Sequence, residues 1–236
     1  MPHQKLIARL QATGGLSDEE RRSLADIPRT IRSLADGEYF SREGDVASHC
    51  AILVSGFLCR HKIVETRDQI LSFHVPGDMP DLNTLHLPEM DHDLISIGRS
   101  TVALVPHRFL SQMLDESPRL THAFWRETLI DAAIYRQWVA NLGGHDAIAK
   151  IAHLICELLA RLEVVSLAQD NRIQLPFTQK HVADACGLSI VHVNRTLQEL
   201  RRRSLIVWEG GELAVLNRKE LERIAEFVPD YLHLKQ

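Results

Sequence analysis

The chain has no run of about 18 consecutive apolar residues, the length that a membrane-crossing helix needs. Its first residues, MPHQKLIARLQATGG, lack the apolar centre of a signal peptide. Together these absences point to a cytoplasmic protein with no membrane partner. Only four cysteines occur, Cys50, Cys59, Cys156 and Cys186, with no CxxC pair and no zinc-finger spacing to histidine, so buried free thiols are expected. There is no P-loop, no GxSxG and no pair of catalytic carboxylates with a supporting motif, which leaves no signature of an enzyme. Basic residues are not in excess either. A formal net charge of −4 excludes a wholly basic nucleic-acid coat, so a phosphate-binding surface would have to be a local patch on an acidic molecule.

What is present is 236 residues with 45% hydrophobic and 25% charged content, enough for one large domain or two modest ones. Ser17 followed three residues later by Glu20 has the form of a capping box and starts a short N-terminal helix. From about Ile31 the chain breaks into short β-prone runs separated by Asp36-Gly37, Glu43-Gly44-Asp45 and Ser55-Gly56, continuing through QILSFHVPGDM and DLISIGRSTVALVPHRFL. Runs of this length with glycine punctuation suggest a small sandwich or barrel rather than alternating βαβ units.

From Ser117 the punctuation stops, and PRLTHAFWRETLIDAAIYRQWVANL reads as one long helix with proline suited to its first turn. On a 3.6-residue wheel Phe124, Tyr135, Val139 and Leu142 share one side, while Ile130 and Ile134 lie well round from them, so no single polar half exists. Two readings stand: pairing with the same helix of a second subunit, or burial within one chain. The residues assigned to a helix pair are Phe124, Ile130, Ile134 and Trp138. Gly143-Gly144 is expected to end the helix in a left-handed cap and act as a hinge. The division expected is therefore 1–116, a β domain with N-terminal helices; 117–142, the long helix; and 143–236, the C-terminal domain.

Within that last part, Thr178 stands where an N-cap is wanted, Gly187 marks the end of a two-turn helix, and Ser189 caps SIVHVNRTLQELRRR. This is a helix-turn-helix arrangement. At 100° per residue Ile190, Val193, Leu197 and Leu200 share a core-facing side, with Val191, Arg195, Gln198 and Arg202 opposite. Guanidinium and amide groups along an exposed helix line suit major-groove reading. From Thr178 to Arg203 five Lys and Arg oppose two Asp and Glu, a local charge of +3. A solvated arginine face would explain a lone Arg-Arg-Arg run, but here LIVWEGGELAVL follows and reads as a hairpin about Gly210-Gly211, completing a winged module. Asn217 is placed to cap a closing helix.

With these elements in hand, "GLSIVHVNRTLQELRRRSLI", "GEYFSREGD", "LVSGFLCR" and "ILSFHVPGDM" resemble the recognition helix and β-roll turns of the Crp/Fnr family of bacterial transcription regulators, over nearly the whole chain. The resemblance implies an α+β fold: an N-terminal antiparallel, jelly-roll-like β-roll, a long dimerisation helix and a C-terminal winged helix-turn-helix. It implies a homodimer on a palindromic operator of double-stranded DNA, with RNA polymerase as a partner. By position Arg195 matches the guanine-contacting arginine, Asn194 and Val191 the other base-facing places, and Gln198 lies on the same line. Thr178, Gln179, Ser189 and His192 match phosphate-contacting positions, and Arg201 and Arg202 extend that set. Val191 departs from the glutamate of well-known members, so their target sequences do not transfer.

The resemblance weakens at the effector site. Asp91 and His92 stand about where members that bind cyclic AMP carry Arg-Ser/Thr, and a carboxylate would repel the phosphate, so cyclic-nucleotide binding is expected to be absent or weak. No cysteine precedes Cys50 to hold the family's iron–sulfur cluster, and the segment after Gly77-Asp78 lacks the Cys-x-His of its haem sensor. His86, Asp91, His92 and Asp93 read as solvated loop residues rather than metal ligands. No cofactor or metal is expected; a small-molecule effector of unread identity remains open. Two other functions stand beside the regulator: a cupin-like metal enzyme, for whose His-x-His pair the chain offers only His49 after Gly44 and no histidine at cupin spacing after Pro76-Gly77, and a DNA-binding protein that needs no ligand.

Overall fold

A computed structural model describes residues 3–87 and 89–235. Two short helices lead in: α1 (Gln4–Thr13) and α2 (Asp18–Ala25). The capping box of α2 forms as the sequence requires, with Ser17 Oγ accepting from Glu20 N and Glu20 accepting from Ser17 N. Five antiparallel strands follow: β1 (Thr30–Leu34), β2 (Tyr39–Ser41), β3 (His49–Val64), β4 (Arg67–His74) and β5 (Asp93–Pro106). Their order is β1-β5-β3-β4, with β2 also on β5, which is the expected roll. Ser55-Gly56 does not separate two strands as the punctuation suggested. β3 runs through it, with register shifts on both sides. Gly56 has φ +80°, and a Cβ there would lie 2.4 Å from Arg99 O, so only glycine allows the bend.

The helix α3 (His107–Glu116) leads into α4 (Pro118–Gly144), capped by Ser117. Gly143 and Gly144 are the last residues of α4, not a left-handed cap. The chain leaves the helix at His145, and Asp146 caps α5 (Ala147–Val164) by accepting from Ala149 N.

The C-terminal module comprises β6 (Ala168–Gln169), β7 (Arg172–Gln174), α6 (Gln179–Cys186), α7 (Ile190–Arg202), β8 (Ile206–Glu209), β9 (Glu212–Val215) and α8 (Arg218–Ile224), with sheet order β6-β7-β9-β8. It does not hang from the roll by a loose joint. One apolar core contains Phe57 and Phe73 of the roll, Trp138 of α4, and Phe177 ahead of α6. The Phe177 ring lies 5.1 Å from Phe57 and 4.4 Å from Phe73, centroid to centroid.

The four residues assigned to a helix pair are all buried inside their own subunit. Phe124 packs in the core beneath α1, and Ile130, Ile134 and Trp138 pack toward α5 and the roll. The wheel mixed two faces because the intrachain client covers more of α4 than one stripe. The apolar residues left bare on α4 are Trp125, Leu129, Val139 and Leu142. All four cysteines are buried and free, and burial pushes the thiols of Cys59, Cys156 and Cys186 up to about 12.

Candidate nucleic-acid interface and the neighbouring cavity

Two short-range devices set α6 and α7 against each other. The Thr178 hydroxyl accepts from His181 N while His181 Nδ1 accepts from Thr178 N, a reciprocal cap in which histidine stands where Glu or Gln is usual. Gly187 closes α6 at φ +64°, and Ser189 restarts the chain as the cap of α7, accepting from His192 N. Val193, Thr196, Leu197 and Leu200 are then buried, locking the roll angle of α7. Ile190 departs from the expected core face. It lies half outside, at 50% exposure, because it precedes the first turn that packs.

The opposite face is bare. Val191 is 80% exposed, and Asn194, Arg195 and Gln198 are exposed beside it. Among the described residues Arg195 makes no hydrogen bond or ion pair, whereas the other cations of the patch are engaged. Arg202 and Arg203 both hold Glu199, whose carboxyl is drawn down to about 2 chiefly by Arg202. Lys180 bridges Asp68 of the roll at 2.5 Å and Asp184 at 2.7 Å. Arg201 donates to Trp208 O at 2.8 Å, tying the end of α7 to the wing, where Gly210 and Gly211 both take positive φ. Thr178, Gln179, Arg201 and the two wing glycines border a groove of about 350 Å³. Ser189 and His192 lie at the adjacent start of α7, exposed and half-buried respectively.

A second feature lies between the roll, α1 and α4: a cavity of about 530 Å³. Leu71, Leu82 and Phe124 give it an apolar side, and Arg9, Arg60 and Asp131 a charged one. Arg60, on β3, is buried and donates in every direction: to His92 Nε2 (3.1 Å), Asp131 Oδ2 (2.5 Å), Tyr135 Oη (2.7 Å) and Pro80 O (2.7 Å). His92 therefore accepts at Nε2 and donates at Nδ1 to Asp91, which is exposed at the cavity mouth. His86 and Asp93 do not join them in a metal site; among the described residues no group of three such side chains is placed to hold a metal ion.

In the cavity wall Asp78 collects two arginines. Arg161 Nη2 stands 2.6 Å from Oδ2, and Arg9 Nη1 2.7 Å from Oδ1, the latter as an ion contact without hydrogen-bond alignment. Burial alone would raise the Asp78 pKa, but Arg9 and Arg161 outweigh it and hold the carboxyl far below its ordinary range. His74 beside it is pushed down to about 4 by burial and by the charge of Arg60, so the imidazole is neutral at pH 7.

The Crp-like helix-turn-helix domain is matched over residues 149–224 and the cyclic nucleotide-binding domain over residues 31–117. The transcriptional activator protein Anr of Pseudomonas aeruginosa is 24% identical over 211 residues, covering 89% of this chain and 86% of that protein. The nitrogen fixation regulation protein FixK of Bradyrhizobium diazoefficiens is 25% identical over 211 residues, covering 89% and 87%. The chain belongs to the Crp/Fnr family. The solved structure of FixK2 from Bradyrhizobium japonicum has the same fold, with a TM-score of 0.78 at 22% identity, covering 86% of this chain and all of that one. As a Crp/Fnr member the protein is a DNA-binding transcription regulator, and α6 and α7 both lie within the residues matched by its Crp-like helix-turn-helix domain. What sequence reasoning missed in this Crp/Fnr chain is the wall of the cavity. Arg60 and Asp131 stand 71 residues apart, and no local pattern marks them as partners.

Proposed function

We propose that the protein works as a homodimer that sets two copies of α7 into successive major grooves of a palindromic operator. Val191, Asn194, Arg195 and Gln198 meet base edges, and Thr178, Gln179, Ser189, His192, Arg201 and Arg202 meet backbone phosphates. The regulator acts in the cytoplasm, without catalysis, and RNA polymerase is its partner at the promoter. No helix among the described residues is long and apolar enough to cross a membrane, which accords with that location. The observation that carries this reading is Arg195: an unengaged guanidinium on the bare side of a helix whose other side is fixed in the core. A free guanidinium fork is what guanine O6 and N7 select.

The test is Arg195→Ala against operator and random duplexes, in parallel with Arg201→Ala. Arg195→Ala should cost about 1–3 kcal/mol on the operator and little on random DNA, while Arg201→Ala should weaken both alike and reduce the salt slope. Equal losses on both duplexes for Arg195→Ala would remove it from the base-reading set.

A further inference from the structure

Every cation in the wall of the 530 Å³ cavity already has a carboxylate of its own chain. Arg9 lies between Asp78 and Glu127, Arg60 holds Asp131, and Lys62 at the rim stands 3.3 Å from Glu43. A cyclic nucleotide, or any phosphate or carboxylate ligand, needs an uncommitted cation once it leaves water, since a buried charge without a partner costs several kcal/mol. The wall offers none. It carries Arg9, Arg60 and Lys62 against Asp78, Asp91, Glu127 and Asp131, one negative charge in excess with His74 neutral.

The Arg60 contact also joins two bodies. Arg60 belongs to the roll, and Asp131 and Tyr135 are one turn apart on α4, so a single guanidinium grips the helix at two successive turns. The rest of Arg60 is fixed by His92 and Pro80, both in the segment between β4 and β5. Asp131 is the adjustable partner. At 32% side-chain exposure it can swing to water, whereas Arg60, at 5%, cannot.

We propose that Asp131 is a built-in anion for Arg60: it fixes the roll to α4 without any bound effector, and it bars anionic ligands from the cavity. The proposal rests on the regulator reading only for its effect on DNA; its chemistry concerns the cavity alone. Asp131 is thus a specificity-determining and positioning residue. Its removal should turn a closed site into an anion-binding one.

The test compares wild type, Asp131→Ala and Asp131→Asn in chloride buffer of fixed ionic strength. Formate, inorganic phosphate and cyclic AMP are the probes, read first without DNA by thermal midpoint and calorimetry. Wild type should bind none of them. Asp131→Ala should lose thermal stability and regain it with formate, saturably, while Asp131→Asn, which keeps an acceptor but no charge, should fall between. In the second arm Asp131→Ala should bind operator DNA on the order of tenfold more weakly, the loss expected for one charged hydrogen bond, and recover with formate. Saturable binding of phosphate or cyclic AMP to wild type would overturn the proposal, as would equal formate responses in wild type and Asp131→Ala. If Asp131→Ala does not fold, calorimetry on Asp131→Asn decides: phosphate binding supports the proposal and its absence overturns it. A failure of DNA binding in wild type leaves the first arm intact and counts against the regulator reading instead.

Discussion

Asp81 shows how one buried carboxyl sets a pH dependence. It is buried, and its Oδ1 accepts from Ala51 N at 2.7 Å. Among the described residues no cation pairs with it; Arg60 is only a weaker electrostatic neighbour, and burial raises its pKa to about 7. The unfolded chain releases this proton near pH 4 and the folded chain near pH 7, so between those values the native state holds more protons than the unfolded one. Its contribution to stability is therefore full below about pH 4 and is lost as pH rises to about 7. Asp81→Asn keeps the acceptor and removes the titration. The difference in urea stability between variant and wild type should grow from pH 5 to pH 8 in favour of the variant, reaching on the order of 2–4 kcal/mol. Parallel curves would mean that Asp81 is ionised throughout. The raised value lived in no local pattern of the sequence, since GDMPDLNT reads as a polar loop and only the fold puts Asp81 beneath β3.

Among the elements, the legible parts are those governed by neighbours in sequence. The caps at Ser17, Thr178, Ser189 and Asn217, the left-handed Gly187, and the Gly210-Gly211 turn all form as the local chemistry dictates. The bare side of α7 was equally legible, since helical periodicity alone separates the buried Val193 and Leu197 from the exposed Arg195 and Gln198. What connects the elements was not. Helix α5, on which the winged module packs, is fastened to the roll by Asp78–Arg161 and to α4 by Glu157 accepting from Trp138 Nε1, while the module itself is tied to the β4 edge by Gln69 donating to Asp184 O. Each pairs residues far apart in the chain, which is why Gly143-Gly144 read as a free hinge. Asp78→Asn leaves Arg161 and Arg9 each short of a buried carboxylate, and should cost about 3–5 kcal/mol in urea unfolding. Because the pair is one unit, the loss in Asp78→Asn/Arg161→Met should be much smaller than the sum of the single losses. Additive losses would show that the roll and module are held by their shared apolar core alone.

At the scale of the whole molecule the open question is what covers the outer face of α4. His122, Trp125, Leu129, Ala132, Arg136 and Val139 follow one another at intervals of three, four, three, four and three, which is the spacing of a coiled-coil seam. The rhythm is present in the sequence, but Phe124, Ile130, Ile134 and Trp138 are the more strongly apolar residues, and they pack within their own chain. With those four buried in the same chain, the seam carries three of the four large apolar residues left bare on α4, with Trp125 59% and Val139 70% exposed. Two such seams brought together would bury those side chains and set two α7 helices in one assembly, and the linked modules would then gain affinity through effective concentration rather than new contacts. Leu129→Glu/Val139→Glu places like charges face to face in a pair while touching nothing in the monomer core. The variant should keep the wild-type circular dichroism and sediment as a monomer where wild type sediments as a dimer. It should bind a half-site much as wild type does, and lose the avidity on a full palindrome. A variant that still sediments as a dimer, with undiminished palindrome affinity, would place the subunit contact elsewhere on the molecule.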